Sequence, residues 1–346
     1  MTEPRRLLLD LAATSRNWAL PPEFEARLRS EGPSDWAVDA VRAPTNSDGD
    51  GPALASEEAK RLIADAEVYF GFGITPDLLR SARRLRWVHS AAAGVGSVLA
   101  SGIADRDVLL TNSAGIHGPP IAEYVVAGIL HFLRGLDVAI AQQRRAEWSK
   151  AFFVAEDAPL REITECRVVI VGVGGLGSEA ARRLTGLGAT CVGIRRRPQL
   201  GAPAGFASVA GSEQLDVELT RADVLVLAAP LTADTNELMT RNRLMRLPPG
   251  AIVVNVARGA LLDEEAVADL LESGHLRGAV LDVFREEPLA SDSRLWTLQN
   301  ALVTPHVSPV SPGRFWPRQM DLFLSNWHRY DRGEPLHNLV DKQAGY

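Results

Sequence analysis

The stretch "RVVIVGVGGLG", residues 167–177, decides the fold class of this chain. An apolar run typical of a buried strand leads directly into three glycines with G-x-G-x-x-G spacing, and a helical pattern follows. In such a loop the first glycine permits a tight turn, the second lets backbone amides approach a pyrophosphate, and the third allows the helix to pack on the strand. The amino terminus of the helix attracts phosphates. We therefore predict a dinucleotide site here, although a Gly-rich turn without a ligand is an alternative, and its residues are Gly172, Gly174, Gly175, Leu176 and Gly177.

Three consecutive arginines stand where dinucleotide-binding proteins usually carry an acid. The next apolar run, "CVGIR", ends at Arg195, 18 positions after Gly177, close to where an Asp or Glu would hold the ribose 2′-hydroxyl of NAD. Arg195, Arg196 and Arg197 would instead attract the 2′-phosphate of NADP through charge-assisted hydrogen bonds. The missing acid favours NADP, with NAD possible. The alternative is that the arginines form only a solvated turn before Pro198.

Strand-like and helical patterns alternate along most of the chain, which is typical of parallel α/β structure. In the first 115 residues, strand patterns such as "RLLLDL", "EVYFGFG" and "RWVHSAAAG" alternate with helical ones. From residue 167 onward, six strands are predicted, enough for a complete doubly wound sheet: "RVVIVGV", "CVGIR", "DVLVLAAP", "AIVVNVA", "GAVLDVF" and "ALVTPH". The predicted fold is α/β, with two Rossmann-like doubly wound domains and a cleft between them.

The last part of the chain is too short to form a domain of its own. It carries one further helical pattern, "PRQMDLFLSNWHRYDRG", and a short tail, so we expect it to return to the first domain and make that domain discontinuous. The predicted division is a substrate-binding (catalytic) domain of residues 1–115 plus 311–346 and a dinucleotide-binding Rossmann domain of residues 116–310. Within the first domain, Pro44 to Pro52 is predicted to be a polar loop.

A long apolar pattern crosses the predicted domain boundary. From about Ile121 to Ala141 the residues are apolar on nearly every side of a helix, which predicts one buried helix, packed between domains or against another subunit. A polar arm without clear periodicity follows, and its Trp148 is interpreted as an interface anchor. The aromatic residues Trp316, Tyr69 and Phe72 could line a substrate pocket, but a role in the core is the preferred interpretation.

Composition favours a small-molecule partner. Hydrophobic residues make up 46% of the chain and charged residues 23%, with a net charge of -6, so bulk charge indicates neither nucleic acid nor an anionic membrane as partner. The two cysteines, Cys166 and Cys191, lie in apolar runs and are predicted to be buried and reduced, which favours the cytoplasm. No apolar run approaches the roughly 20 residues of a membrane span. No His/Cys/Asp cluster has metal-ligand spacing, so no metal is expected.

Polar residues follow three of the predicted strands at the edge where open α/β sheets bind ligands. Arg258 follows "AIVVNVA", Asp282 and the pair Glu286 and Glu287 lie in or after "GAVLDVF", and His306 follows "ALVTPH". Spacing alone does not assign roles to them. A surface arginine, a glutamate beside a proline and a loop histidine are the alternative interpretations.

Taken together, these stretches resemble the D-isomer-specific 2-hydroxyacid dehydrogenase family, and its glyoxylate/hydroxypyruvate reductases in particular. The resemblance covers the chain from about residue 160 to the end, with weaker likeness from "HSAAAGV" through "IAEYVVAGIL". The similar segments are "VGVGGLG", "APLTADTNELM", "LPPGAIVVNVARGALLDEEAV", "GAVLDVFREEPL", "LWTLQNALVTPHVS" and "GEPLHNLVDKQAGY".

The resemblance implies a catalytic triad of Arg258, Glu287 and His306. Glu287 is chosen over Glu286 because the glutamate of the family directly precedes the proline of its "EEP" motif. Asp282 corresponds to an aspartate near the nicotinamide. The remaining implied contacts are Pro230, Ala257 and Ser308 for the cofactor, and Arg258 with the backbone amides of Ala92, Ala93, Gly94 and Val95 for the substrate carboxylate.

The implied activity is an NADP-preferring reduction of a small 2-oxo acid, with glyoxylate or hydroxypyruvate as the first expectation, to the D-2-hydroxy acid. His306 would act as the acid/base, and the family implies a homodimer. The alternative is a dinucleotide-sensing binding protein without significant turnover, as in relatives that act as co-repressors. The lack of a long disordered tail or a basic patch counts against that alternative.

Overall fold

The computed structural model describes residues 4–15, 18–43 and 55–345. It divides the chain into two compact units. Unit 1 consists of Met1–Ile116 and Ser311–Tyr346, and unit 2 consists of His117–Val310. The predicted polar loop from Pro44 to Pro52 lies outside the described residues.

Unit 1 contains a parallel five-stranded sheet with the strand order β2-β1-β3-β4-β5. Elements are numbered along the whole chain. The strands are β1 (Arg5–Asp10), β2 (Trp36–Ala40), β3 (Val68–Gly71), β4 (Trp87–Ser90) and β5 (Leu109–Thr111). The α-helices are α1 (Pro22–Glu31), α2 (Glu57–Ile63), α3 (Pro76–Ser81), α4 (Gly96–Leu99) and α12 (Phe315–Asp331).

The sheet of unit 1 is covered on both faces. Leu7, Leu8 and Leu9 of β1 are all at most 1% exposed, and successive residues of a strand point to opposite faces. Leu8 packs into one apolar cluster, and Leu7 and Leu9 pack into another that contains Trp316 and other residues of α12. The carboxyl-terminal segment is therefore part of this core, and the backbone N–H of Val340 donates to the carbonyl of Leu110 at 2.8 Å.

Three aromatic residues considered for a substrate pocket lie in the core of unit 1. Tyr69, Phe72 and Trp316 are 1%, 5% and 3% exposed. Phe72 and Trp316 belong to the same apolar cluster, and Tyr69 belongs to the cluster on the other face of the sheet. The preferred interpretation as core residues is confirmed.

Unit 2 contains a parallel seven-stranded sheet with the order β12-β11-β10-β9-β6-β7-β8. The strands are β6 (Arg167–Val171), β7 (Thr190–Ile194), β8 (Ser208–Ala210), β9 (Val224–Leu227), β10 (Ala251–Asn255), β11 (Leu276–Leu281) and β12 (Ala301–Val303). The α-helices are α5 (Gly118–Leu133), α6 (Leu136–Arg144), α7 (Ala151–Val154), α8 (Gly175–Gly186), α9 (Leu215–Leu219), α10 (Arg241–Leu244) and α11 (Glu264–Glu272). Short 3-10 turns complete both units at Ile103–Asp105, Ile163–Glu165, Pro198–Leu200, Ser212–Gln214, Gly259–Leu261 and Arg294–Trp296.

The sheet of unit 2 is also buried on both faces, which explains its apolar strands. Val169 and Val171 of β6 pack into one cluster, and Val168 and Ile170 pack into the other. The strand order reverses between β6 and β9, and this is the position at which doubly wound sheets open a crevice for ligands. The predicted α/β class with two parallel, Rossmann-like sheets is confirmed.

Two strands were not predicted, β5 and β8. Each has three residues and a single neighbouring strand, β4 for β5 and β7 for β8, and β5 also forms an isolated antiparallel bridge between Thr111 and Leu339. Three residues form a weak pattern on their own, although the equally short edge strand β12 was predicted. The other strands named in the prediction are present.

The prediction of one long helix from about Ile121 to Ala141 is wrong. The chain forms α5 and α6, which meet at an angle of 72°, because Gly135 between them takes a left-handed conformation with φ of 66°. The second helix is less buried than predicted, with Leu136 and Ile140 exposed by 47% and 41%. Among the described residues, no single helix has the length and apolarity to cross a membrane, and this bent pair meets that test only when taken together.

Candidate active site

The glycine loop of unit 2 follows β6 at the point where the strand order reverses. Gly172 has φ of +108°, and a Cβ atom on it would lie 2.5 Å from the carbonyl oxygen of Ala228. A Cβ on Gly177 would overlap the carbonyl oxygen of Gly172. Both glycines are therefore required by the local fold. Gly174 has extended backbone angles, and a Cβ there would have no atom within 4 Å, so the fold does not require a glycine at this position.

The open space beside Gly174 fits a dinucleotide pyrophosphate. The twelve-residue helix α8 starts at the next residue, Gly175, and no side chain caps its first turn. The first N–H groups of a helix have no partner within the helix, and together with the helix dipole they favour an anion. Leu176 and Gly177 complete this first turn. The residues present thus provide both the donors and the clearance that a pyrophosphate needs.

The three arginines begin directly after β7, which ends at Ile194. The backbone N–H of Arg195 donates to the carbonyl of Ala210 at 3.0 Å, so the start of the segment is fixed by β8. Arg196 and Arg197 are exposed, and the Arg196 guanidinium forms an ion pair with Asp234 at 3.5 Å. The three cationic side chains therefore follow the end of β7, the second strand of unit 2.

The three candidate catalytic residues follow β10, β11 and β12, which are neighbours in the sheet. The Oε2 atom of Glu287 lies 2.9 Å from Nδ1 of His306. The other carboxylate oxygen of Glu287 accepts the backbone N–H of Phe284 at 2.9 Å. A carboxylate against Nδ1 favours the tautomer in which Nδ1 carries the proton. Glu287 can therefore fix both the orientation and the tautomer of His306.

Arg258 lies in the turn after β10, and a buried asparagine holds this turn in place. Asn255 is fully buried; its side chain donates to the carbonyl of Arg258 at 3.0 Å and accepts the N–H of Ala257 at 3.2 Å. The guanidinium of Arg258 donates to the carbonyl of Ala257 at 2.7 Å. A Cβ on Gly259 would overlap the backbone of Phe284, so the turn packs directly on the loop that leads to Glu287. A role for Asn255 was not predicted from the sequence, where its only signal is an amide in an otherwise apolar strand.

The aspartate expected near the nicotinamide is occupied by hydrogen bonds within the protein. Asp282 is fully buried. Its carboxylate accepts the Thr304 hydroxyl at 2.5 Å and the backbone N–H groups of Val307 and Ser308 at 2.9 Å each. Ser308 is 5% exposed. These contacts make Asp282 the anchor of the loop that carries His306.

The other two residues expected at the cofactor are held by local contacts. Pro230 is exposed after β9, and its carbonyl accepts the Thr235 hydroxyl at 2.7 Å. Ala257 is 7% exposed.

Among the described residues, no group of three or more His, Cys, Asp or Glu side chains is arranged to hold a metal ion.

The candidate substrate loop lies in unit 1, directly after β4. Its carbonyls are engaged: that of Ala92 accepts the N–H of Ser113 at 3.1 Å, and that of Ala93 accepts the side chain of Asn112 at 2.8 Å. The N–H of Ala92 donates to the Ser90 hydroxyl at 3.3 Å. Within the described part of the chain, the N–H groups of Ala93, Gly94 and Val95 have no such acceptor. Among the described residues, three of the four predicted amides therefore have no protein acceptor, and the Ala92 amide has one.

Comparisons with known proteins identify a shared family. A sequence model of the D-isomer specific 2-hydroxyacid dehydrogenase, NAD binding domain, matches residues 126–308. Glyoxylate/hydroxypyruvate reductase A of Salmonella newport is 32% identical over 282 residues, which cover 78% of this chain and 85% of that protein. D-3-phosphoglycerate dehydrogenase of Methanocaldococcus jannaschii is 31% identical over 259 residues, 73% of this chain and 48% of that longer protein.

Solved structures agree over almost the whole chain. A D-isomer specific 2-hydroxyacid dehydrogenase from Xanthobacter autotrophicus Py2, in complex with NADPH and MES, is 30% identical with a TM-score of 0.79, covering 99% of this chain and 100% of that one. The NADPH-dependent glyoxylate/hydroxypyruvate reductase from Sinorhizobium meliloti, in complex with NADP and sulfate, is 28% identical with a TM-score of 0.78 and the same coverage.

Proposed function

The chain belongs to the D-isomer specific 2-hydroxyacid dehydrogenase family, an enzyme family, and from this premise we propose that it is an NADP-preferring reductase of a small 2-oxo acid. The observation that carries the proposal is the 2.9 Å contact between Glu287 and Nδ1 of His306. Glu287 and His306 lie on loops next to the turn of Arg258, at the edge of the sheet where ligands bind. The product is the D-2-hydroxy acid.

Reduction of a 2-oxo acid requires a cation and a proton donor at the carbonyl oxygen. Arg258 stabilises the negative charge that builds on this oxygen and pairs with the substrate carboxylate. His306 gives the proton to the oxygen from Nε2, and in the reverse direction it takes the proton back. Glu287 holds Nδ1 and stabilises the charged imidazole. The redox step itself is supplied by the bound nicotinamide, as a hydride delivered to the carbonyl carbon.

The preference for NADP rests on the segment after β7. Arg195, Arg196 and Arg197 offer guanidinium groups for a 2′-phosphate, and no carboxylate follows Ile194 to hold a 2′-hydroxyl. The solved relatives from Xanthobacter autotrophicus Py2 and Sinorhizobium meliloti, which carry NADPH and NADP, support the same choice. The 2′-phosphate would also have to compete with Asp234 for the guanidinium of Arg196.

Glyoxylate or hydroxypyruvate is the proposed substrate. Relatives that are reductases of these two acids align over most of the chain, which supports the assignment. The N–H groups of Ala93, Gly94 and Val95 are proposed to donate to the substrate carboxylate. Ala92 is left out of this set because its N–H donates to Ser90.

A homodimer is the proposed assembly. The segment after α6 carries Trp148 and Val154, which are 94% and 72% exposed, and Leu136 and Ile140 of α6 are exposed as well. Apolar side chains grouped on one surface segment are typical of a protein interface. Light scattering of the purified protein should give twice the 37.4 kDa mass of the chain, and Trp148→Asp should lower the measured mass.

The cytoplasm is the proposed compartment. Both cysteines, Cys166 and Cys191, are buried and free, and burial raises the pKa of each thiol. Thiols of this kind are kept reduced and unreactive in a reducing compartment.

The direct test of the catalytic assignment is His306→Ala. The variant should lose about 10²- to 10⁴-fold in kcat for NADPH-dependent reduction of glyoxylate, which is the usual contribution of a general acid. It should keep its affinity for NADPH, measured by calorimetric titration. Turnover equal to that of the wild type would refute the role of His306.

A further inference from the structure

A chain of three hydrogen-bonded side chains leads from helix α5 to the loop of His306. The hydroxyl of Tyr124 lies 2.5 Å from the hydroxyl oxygen of Thr304. Thr304 in turn donates to Oδ1 of Asp282 at 2.5 Å. The same carboxylate accepts the backbone N–H groups of Val307 and Ser308. All of these residues belong to unit 2.

The direction of this chain follows from the number of available protons. A threonine hydroxyl has one hydrogen, and Thr304 gives it to Asp282. Thr304 must therefore accept its second hydrogen bond, and Tyr124 is the donor. Burial raises the pKa of Tyr124 to about 12, so the phenol keeps its proton at neutral pH.

The loop that these residues anchor has an unusual backbone. His306 has φ of 53°, a left-handed conformation that residues other than glycine rarely adopt. Its N–H donates to the carbonyl of Asp282 at 2.9 Å and to that of Thr304 at 3.1 Å. Such a conformation persists only where several contacts define it. Here the backbone carbonyl of Asp282 holds His306, and its carboxylate holds the two residues that follow.

The carboxylate of Asp282 needs all of its donors. Asp282 is fully buried, and a buried carboxylate is stable only when hydrogen bonds replace its hydration. Two donors come from the loop itself, and the third is the hydroxyl of Thr304. Thr304 is therefore the connection through which α5 reaches the loop.

We propose that Tyr124 and Thr304 are positioning residues for His306, acting through Asp282. The inference rests on the proposed role of His306 in proton transfer. This series of hydrogen bonds ends on the backbone N–H groups of Val307 and Ser308 and not on the imidazole, so it carries no proton to His306. It acts on the orientation of the ring relative to Glu287 and to the substrate oxygen. Its loss should therefore lower kcat and leave the KM values for NADPH and for the 2-oxo acid nearly unchanged.

The test uses Tyr124→Phe with Tyr330→Phe as the matched control. Tyr330 is also half-buried and its hydroxyl also donates one hydrogen bond, to the carboxylate of Glu67 at 2.9 Å, but it lies in unit 1. Both variants lose one phenolic hydrogen bond and should lower the unfolding temperature. Only Tyr124→Phe should lower kcat, by about 3- to 10-fold, the equivalent of one ordinary hydrogen bond, with both KM values within about twofold of the wild type.

A second pair of variants separates the hydroxyl from the shape of the side chain. Thr304→Val keeps the shape, removes the donor to Asp282 and should lower kcat by about 10-fold or more. Thr304→Ser keeps the hydroxyl and should restore kcat to within about threefold of the wild type. A serine variant as impaired as the valine variant would overturn the proposal. If Thr304→Val does not fold, the comparison of Tyr124→Phe with Tyr330→Phe decides.

Failure of the inference can be told apart from failure of the proposed function. If His306→Ala is inactive but Tyr124→Phe has the kcat of Tyr330→Phe, the positioning role is wrong and the catalytic role stands. If His306→Ala turns over as fast as the wild type, the catalytic role is wrong as well. A rise in KM at constant kcat in Tyr124→Phe would also overturn the positioning role.

Discussion

The glycine loop allows a test that separates folding from cofactor binding, through the substitution Gly174→Ala. Gly174 has φ of -92° and ψ of -165°, which alanine adopts without strain, and a Cβ there would have no atom within 4 Å. The folded protein therefore has room for the added methyl group. A bound pyrophosphate that uses this space would not.

The expected sizes of the two effects differ clearly. Replacing glycine reduces the entropy of the unfolded chain, which stabilises by about 0.4–1 kcal/mol, and alanine is a poorer helix cap than glycine by a similar amount. These changes nearly cancel, so the free energy of unfolding should change by less than about 1 kcal/mol. A methyl group forced into a filled contact costs about 1–3 kcal/mol, which weakens NADPH binding by roughly 5- to 150-fold in Kd.

Thermal unfolding and calorimetric titration with NADPH measure the two quantities separately. Gly186→Ala is the matched control, because Gly186 ends the same helix and a Cβ there would also have no atom within 4 Å. It should leave Kd unchanged. Gly177→Ala should instead destabilise the fold, because its Cβ would overlap the carbonyl of Gly172. A Kd for Gly174→Ala within twofold of the wild type would refute the placement of the pyrophosphate.

Three further predictions concern buried and catalytic charges. Burial lowers the pKa of His89 from its ordinary 6.5 to about 3, so between pH 7 and pH 5 the unfolded chain binds a proton that the native state does not. The free energy of unfolding should therefore fall by about 2 kcal/mol over this range, and the urea midpoint should fall less steeply with decreasing pH in His89→Asn. Asp137→Ala removes the bidentate partner of the Arg277 guanidinium, whose side chain is 9% exposed, and should lower the free energy of unfolding by about 3–5 kcal/mol. A loss below about 1 kcal/mol in calorimetry would contradict this prediction. Glu287→Gln can present an N–H to Nδ1 of His306 and favour the wrong tautomer, so kcat should fall by about 10²- to 10⁴-fold at unchanged Kd for NADPH, and full activity would contradict the assigned role.

Much of the fold could be predicted because parallel strands buried on both faces are continuous apolar runs. The central strands of unit 2, β6, β9, β10 and β11, illustrate this. Periodicity failed where a single residue changes the direction of the chain: apolar residues continue through Gly135, and only its left-handed conformation separates α5 from α6. It also failed for β5 and β8, which are defined by pairing with a neighbour and not by their own three residues.

The candidate site divides in the same way. The residues Arg258, Glu287 and His306 could be named from motifs, because each motif is local. The contacts that hold these three residues in place could not be predicted from the sequence. Tyr124 meets Thr304 across 180 positions of the chain, and Thr304 is an ordinary residue at the end of a strand pattern. For Asp282 the motif suggested a cofactor contact, whereas in the fold its carboxylate accepts three hydrogen bonds, from the Thr304 hydroxyl and from the backbone N–H groups of Val307 and Ser308.

The most direct measurement is the initial rate of oxidation of NADPH and of NADH, side by side, with glyoxylate, hydroxypyruvate, pyruvate and phenylpyruvate as acceptors. We expect NADPH to be preferred by about 10- to 100-fold in kcat/KM, the value of one or two charge-assisted hydrogen bonds from the arginines after β7. We expect glyoxylate or hydroxypyruvate to be the best acceptor. Equal or faster rates with NADH would contradict the role of the arginines. If neither cofactor is oxidised with any of the four acids, the proposal of a 2-oxo acid reductase is wrong.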